Sequence, residues 1–139
     1  MNILLTGASR GIGAAARAAL EQAGHRVAGH STRGGDGLLA ADFADPAAPR
    51  ALWEAAVEAL GGRIDVLVNN AGIYESAGIE ASDDEWHAAW ARTMTVNLQA
   101  ASDLSRLAIQ HFRARGGGRI VNVASRAGYR GDSPQHWHY

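Results

Sequence analysis

The 139-residue sequence contains no cysteine and no lysine. Without cysteine there are no disulfides, no thiolate zinc sites and no cysteine nucleophile. All 13 basic residues are therefore arginine, a bias that a GC-rich genome explains and that bears on proton chemistry below. Charge is sparse: charged residues make up 19% of the chain and the formal net charge is −1. That balance gives no electrostatic case for nucleic acid or an anionic membrane as partner. No apolar run is long enough to span a bilayer. The chain enters an apolar segment almost at once, with no basic leader, so a secretory signal is not expected and a cytoplasmic protein is the default reading. His136-x-His138 has the spacing of a metal pair but no evident third ligand. It reads as a surface loop, and no metal site is expected.

What is present suffices for one folded domain over residues 1–139, with an apolar fraction of 47%. Ile3-Leu4-Leu5 reads as a buried strand. It runs into Thr6-Gly7-Ala8-Ser9-Arg10-Gly11-Ile12-Gly13 and then an alanine-rich segment to Ala23, which together read as a strand, a tight turn and a helix. Gly7, Gly11 and Gly13 leave the turn without side chains, so backbone can approach a ligand closely. The helix that follows aims its free N–H groups and the positive end of its dipole at the same place, an arrangement suited to phosphate. The spacing is Gly-x3-Gly-x-Gly, not the six-residue dinucleotide fingerprint, and no Lys-Ser/Thr follows to make an ATP-type loop.

Further strands are expected at Arg26–His30, Leu38–Asp42, Ile64–Val68 and Arg119–Ala124. One helix is expected from Asp45-Pro46 to about Leu60, with Leu52, Trp53, Ala56, Val57 and Leu60 on one face. A second, long helical segment follows a Ser82/Glu85 capping box and carries Met94, Leu98, Ala101, Leu104, Ala108 and Phe112 at steps of three and four. Trp53, Trp86 and Trp90 are expected to pack helices. The stretch from Ser125 to Tyr139 reads as polar and irregular. Continuous apolar strands alternating with helices argue for an α/β fold: a doubly wound parallel sheet, in order 3-2-1-4-5, with ligands at the carboxyl ends of its strands.

Three more features fall into line with the glycine turn. Asn69-Asn70-Ala71-Gly72 ends the fourth strand, Asn97 lies inside the long helix, and Ser125 precedes Tyr139 by fourteen positions. With them the whole chain resembles the short-chain dehydrogenase/reductase family of Rossmann-type enzymes. That resemblance implies NAD(P)(H)-dependent hydride transfer to or from a small carbonyl compound or secondary alcohol. It implies that Gly7, Ser9, Arg10, Ile12 and Gly13 line the cofactor, that Asp42 contacts the adenine, and that Asn69, Ala71 and Gly72 support the cofactor floor. It implies further that Ser125 hydrogen-bonds the substrate carbonyl, Tyr139 passes the proton and Asn97 holds a relay water. A homodimer or homotetramer is also implied, through the Met94–Phe112 face.

A phenol ionises near ~10, too high for a comfortable base at neutral pH. In the family, a lysine four residues after the tyrosine and the oxidised nicotinamide lower it. The sequence stops where that Tyr-x-x-x-Lys motif would begin and holds no other lysine, and arginine is a poor substitute. The expectation is of the cofactor-binding half of such an enzyme. The alternative is a nucleotide-binding module or fragment without catalysis. NAD-preferring members place an acid at the end of the second strand, where this sequence has Ser31. With Arg10 and Arg33 nearby to pair with a 2′-phosphate, NADP(H) is favoured over NAD(H).

Overall fold

A computed structural model describes residues 1–139. Its five strands are β1 (Asn2–Leu5), β2 (Arg26–Ser31), β3 (Leu39–Ala40), β4 (Val66–Asn69) and β5 (Arg119–Asn122). They lie in the order β3-β2-β1-β4-β5 with every neighbouring pair parallel, as the sequence pattern requires. The helices are α1 (Gly11–Gln22), α2 (Ala48–Ala59), α3 (Asp83–Met94), α4 (Ala100–Arg113) and a single turn, α5 (Ala127–Arg130). No helix is long and apolar enough to cross a membrane.

The core forms because successive strand residues face opposite sides of the sheet. Leu4, Ala28 and Leu67 face α2 and α4, where they join Leu52, Trp53, Ala56, Leu104, Ala108 and Phe112 in one cluster. Ile3 and Leu5 are equally buried but lie outside that cluster, so they face the opposite side, with α1. Gly29 alternates with Ala28, and its bare Cα leaves room for Leu38 and Ala8: a β-carbon there would sit 2.6 Å from Leu38 Cδ2 and 3.1 Å from Ala8 Cβ.

Four local expectations are corrected. The helix expected from Asp45-Pro46 begins at Ala48, because Asp45 closes a turn of its own. Its Oδ1 accepts from the Ala47 N–H and its carbonyl from the Ala48 N–H, and Pro49 takes the first helical turn. The third strand shrinks to Leu39–Ala40. The long helical segment is interrupted by a π turn over Thr95–Gln99, which takes extra residues per rotation and so shifts the helical phase. Leu98 is therefore 63% exposed, and Ala100 takes the buried place that leads to Leu104, Ala108 and Phe112. Finally, the tail is not wholly irregular. Besides α5, it forms a parallel bridge between Ala77 and His136.

Candidate active site

The glycine turn is built by three neighbours. Parallel registry sets Leu5 beside Gly29 and Val68, so the ends of β2 and β4 flank the residues that follow β1. On the β4 side, the Thr6 hydroxyl donates to the Val68 carbonyl and accepts from the N–H groups of Asn70 and Ala71, both at 3.0 Å. Asn70 Nδ2 returns two bonds, to the Thr6 and Gly7 carbonyls at 2.9 and 3.0 Å. The sequence sets Thr6 and Asn70 inside the two motifs without marking a role for them; in the structure they do the fastening.

Gly7 and Gly13 are glycines for steric reasons. Gly7 has φ +67°, and a β-carbon there would lie 2.8 Å from Ala71 Cα. One on Gly13 would lie 1.9 Å from the Gly7 carbonyl oxygen. Gly11 also has positive φ but open space around it. At the start of α1 the Arg10 side chain makes no cap, and the first helical bond runs from the Ala14 N–H to the Arg10 carbonyl. The N–H groups of Gly11, Ile12 and Gly13 thus have no partner in the chain, while Ser9, Arg10, Gly11 and Ile12 are exposed. Gly13 is buried, and unpaired amides at a helix start, those of Gly11 and Ile12 on exposed residues, beside a side-chain-free turn fit a dinucleotide pyrophosphate.

On the β2 side, Ser31 is buried and its hydroxyl donates to the Gly34 carbonyl at 3.3 Å. Arg10 and Arg33 are exposed and enter no ion pair. Asp42 is exposed, and its Oδ1 accepts from the Ala44 N–H. Its structural work is therefore a turn at the end of β3.

The remaining predicted residues gather beyond β4 and β5. Asn69 is buried, and its Nδ2 donates toward the Asn122 side-chain oxygen at 2.9 Å, Ser105 Oγ at 3.2 Å and the Ala101 carbonyl at 3.4 Å. Its Oδ1 is buried without a partner. Asn97 sits in the π turn and holds both backbone polar groups of one residue, Ile73. Its Oδ1 accepts from the Ile73 N–H at 2.8 Å, and its Nδ2 donates to the Ile73 carbonyl at 2.9 Å. A cleft of about 340 Å³ contains Asn69, Asn97, Ser105 and Asn122 on its walls. Ser125 is half-buried, three residues past β5, and its Oγ accepts from the Ala127 N–H.

Tyr139 packs edge-on against Tyr74, with ring centroids 4.8 Å apart, and its phenol makes no hydrogen bond to Ser125 or Asn97. Tyr74 also stacks on His136 and donates to the Asp132 carboxylate. That bond raises the Tyr74 phenol above its ordinary range. His138, expected in a surface loop, is buried, with Trp90 at 6.2 Å. Trp86 and Trp90 stack on each other beside it, so only Trp53 of the three tryptophans is a buried helix-packing residue. The structure contains no cluster of three or more metal-ligating side chains.

A family model described as short chain dehydrogenase matches residues 1–139. The chain is 36% identical over 140 residues to the short chain dehydrogenase andC of Emericella variicolor, covering 94% of this chain and 55% of that protein. It is also 36% identical to an acetoacetyl-CoA reductase of Rhizobium meliloti, covering 95% of this chain and 58% of the relative. Among solved structures, 3-ketoacyl-(acyl-carrier-protein) reductase from Brucella melitensis complexed with NADH superimposes with a TM-score of 0.81 at 30% identity, over 98% of this chain and 62% of that one. An NADH-dependent reductase complexed with NAD gives a TM-score of 0.87 at 27% identity, over 99% and 64%. The chain thus spans a little over half the length of these two curated relatives.

Proposed function

Because the chain belongs to the short-chain dehydrogenase/reductase family, we propose that it binds a nicotinamide dinucleotide on the Thr6–Gly13 turn and serves an oxidoreductase acting on a small carbonyl compound or secondary alcohol. The observation that carries this is the row of unpaired N–H groups at Gly11, Ile12 and Gly13, set over the cradle that a β-carbon on Gly7 or Gly13 would fill. Gly7, Ser9, Arg10, Ile12 and Gly13 would hold the cofactor, with Asn69, Ala71 and Gly72 beneath it. The cofactor, when bound, supplies the hydride chemistry.

In this reading Ser125 orients the substrate oxygen, Tyr139 carries the proton and Asn97 holds a water linking that proton to solvent. For the 139 residues alone, a second reading has an observation in its favour. Tyr139 packs on Tyr74 and is not bonded to the other two residues. That favours nucleotide binding with little or no turnover.

For the cofactor we propose NADP(H) in preference to NAD(H). Ser31 brings no negative charge to the end of β2, and Arg10 and Arg33 are exposed cations without carboxylate partners. Fluorescence titration is expected to show tighter binding of NADPH than of NADH, with Arg33→Ala weakening NADPH about tenfold, the scale of one charge-assisted pair. Tighter NADH binding, indifferent to Arg33→Ala, contradicts the preference.

We further propose self-association through the α4 side of the molecule. Leu98 and Ile109 are exposed there. Sedimentation is expected to show dimers or larger species, and a stable monomer at high concentration refutes this.

A further inference from the structure

One buried histidine plays no part in the site as read from the sequence. His30 is 3% exposed at the end of β2, stacked on Phe43 with ring centroids 4.5 Å apart. Its Nε2 lies 2.9 Å from the Ala41 carbonyl oxygen, which can only accept. Its Nδ1 lies 3.2 Å from the Gly7 backbone nitrogen, which can only donate. The two partners together require the neutral ring with its proton on Nε2. The His30 carbonyl also accepts from the Ala8 N–H at 2.7 Å. One residue therefore takes the two successive amides that open the turn, while the amides of Gly11, Ile12 and Gly13 stay free.

We propose that His30 is a positioning residue for the dinucleotide site, holding the Gly7 amide inward as the neutral Nε2–H tautomer, so that nucleotide binding weakens when the ring gains a proton. The inference rests on the cofactor reading above. A second proton would sit on Nδ1, directly against the Gly7 N–H, and would turn an acceptor into a repelling donor.

No charged side chain faces the ring to favour the cation. Asp42 is exposed and bonded to the Ala44 N–H. Asp45 is bonded to the Ala47 N–H. Arg50 and Glu54 pair with each other on the exposed side of α2. On α1, Arg17 pairs with Glu21 and donates to the Asp36 carbonyl. Burial accordingly pushes the His30 ring below the ordinary histidine value of 6.5, against a smaller opposing effect of the Ala41 bond.

The sign follows from that direction. The unfolded chain takes up this proton first, so the contribution of His30 to stability is complete above pH 6.5 and is lost as pH falls through the lower folded value. Nucleotide affinity, which follows the folded ring, is expected to hold from pH 8 to below 6.5 and to fall only as pH drops through that lower folded value.

The test combines NADPH and NADH titrations from pH 8 to 5 with nitrogen-detected NMR of the ring. The use of both nucleotides separates His30 from titration of the 2′-phosphate itself. His30→Asn keeps an acceptor near the Nδ1 position. It is expected to bind within a few-fold of the parent at pH 7.5 and to lose the acid fall with NADH. His30→Leu removes the acceptor and is expected to weaken both nucleotides about tenfold at every pH. An Nδ1–H tautomer at pH 7.5, or an acid fall unchanged in His30→Asn, overturns the proposal. Failure of the parent chain to bind either nucleotide while showing the Nε2–H tautomer overturns the cofactor reading instead, and reduces His30 to a fold residue.

Discussion

Gly13→Ala is expected to abolish nucleotide binding and to destabilise the fold by about 3 kcal/mol, the upper end of ordinary overpacking penalties. The added β-carbon would meet the Gly7 carbonyl oxygen at 1.9 Å and Asn70 Nδ2 at 2.7 Å. Neither partner yields easily, because Asn70 Nδ2 is held between the Thr6 and Gly7 carbonyls and Gly7 is pressed against Ala71. The methyl group must push α1 away from the turn, and the unpaired amides of Gly11 and Ile12 move with it. Gly11→Ala is the matched control. Its φ of +55° gives backbone strain of roughly 1–2 kcal/mol, but nothing lies within 4 Å of the new carbon. Urea unfolding and NADPH titration of the two variants are expected to separate strongly, Gly13→Ala losing binding and Gly11→Ala retaining most of it. Equal effects would mean that the close approach of α1 to the turn is not what shapes the site.

Asn97→Ala is expected to cost about 2 kcal/mol in urea unfolding, since it strips the partners from two part-buried backbone groups. The Ile73 N–H and carbonyl are held only by this side chain, at 2.8 and 2.9 Å. That pair of bonds ties the segment after β4 to the π turn. Asn97→Asp keeps the acceptor but loses the donor, and is expected to fall between the parent and the alanine variant. NADPH affinity is expected to change much less than stability in both, because Asn97 lies beyond the cofactor turn. An Asn97→Ala chain as stable as the parent would show that the π turn is held by packing alone.

These two residues show what the sequence does and does not reveal. The order of the sheet was legible because each strand is a short apolar run bounded by glycine, Asp or Asn, and because helical spacing separates most of the runs. Gly13 was legible as part of a turn, yet its reason is a distance to Gly7 across the turn, which no linear pattern contains. Asn97 was legible only by resemblance. The π turn around it leaves no mark at steps of three and four, so Leu98 reads as part of the buried stripe although it is exposed.

Thr6, Asn70 and His30 were missed for a shared reason. Each acts on the backbone of a neighbouring strand end, and only parallel registry brings those ends together. Asp45 misled through good local chemistry, because a residue suited to capping a helix here closes the turn before it.

The central claim is that the free amides of Gly11, Ile12 and Gly13 are a dinucleotide phosphate site. The most direct measurement is an amide-resolved NMR titration of the labelled chain with NADPH. The account predicts saturable shifts that are largest at Gly11, Ile12 and Gly13, with smaller ones at Arg33 and Ala71. Saturation without movement of those three amides, or no saturable shift anywhere, would contradict it.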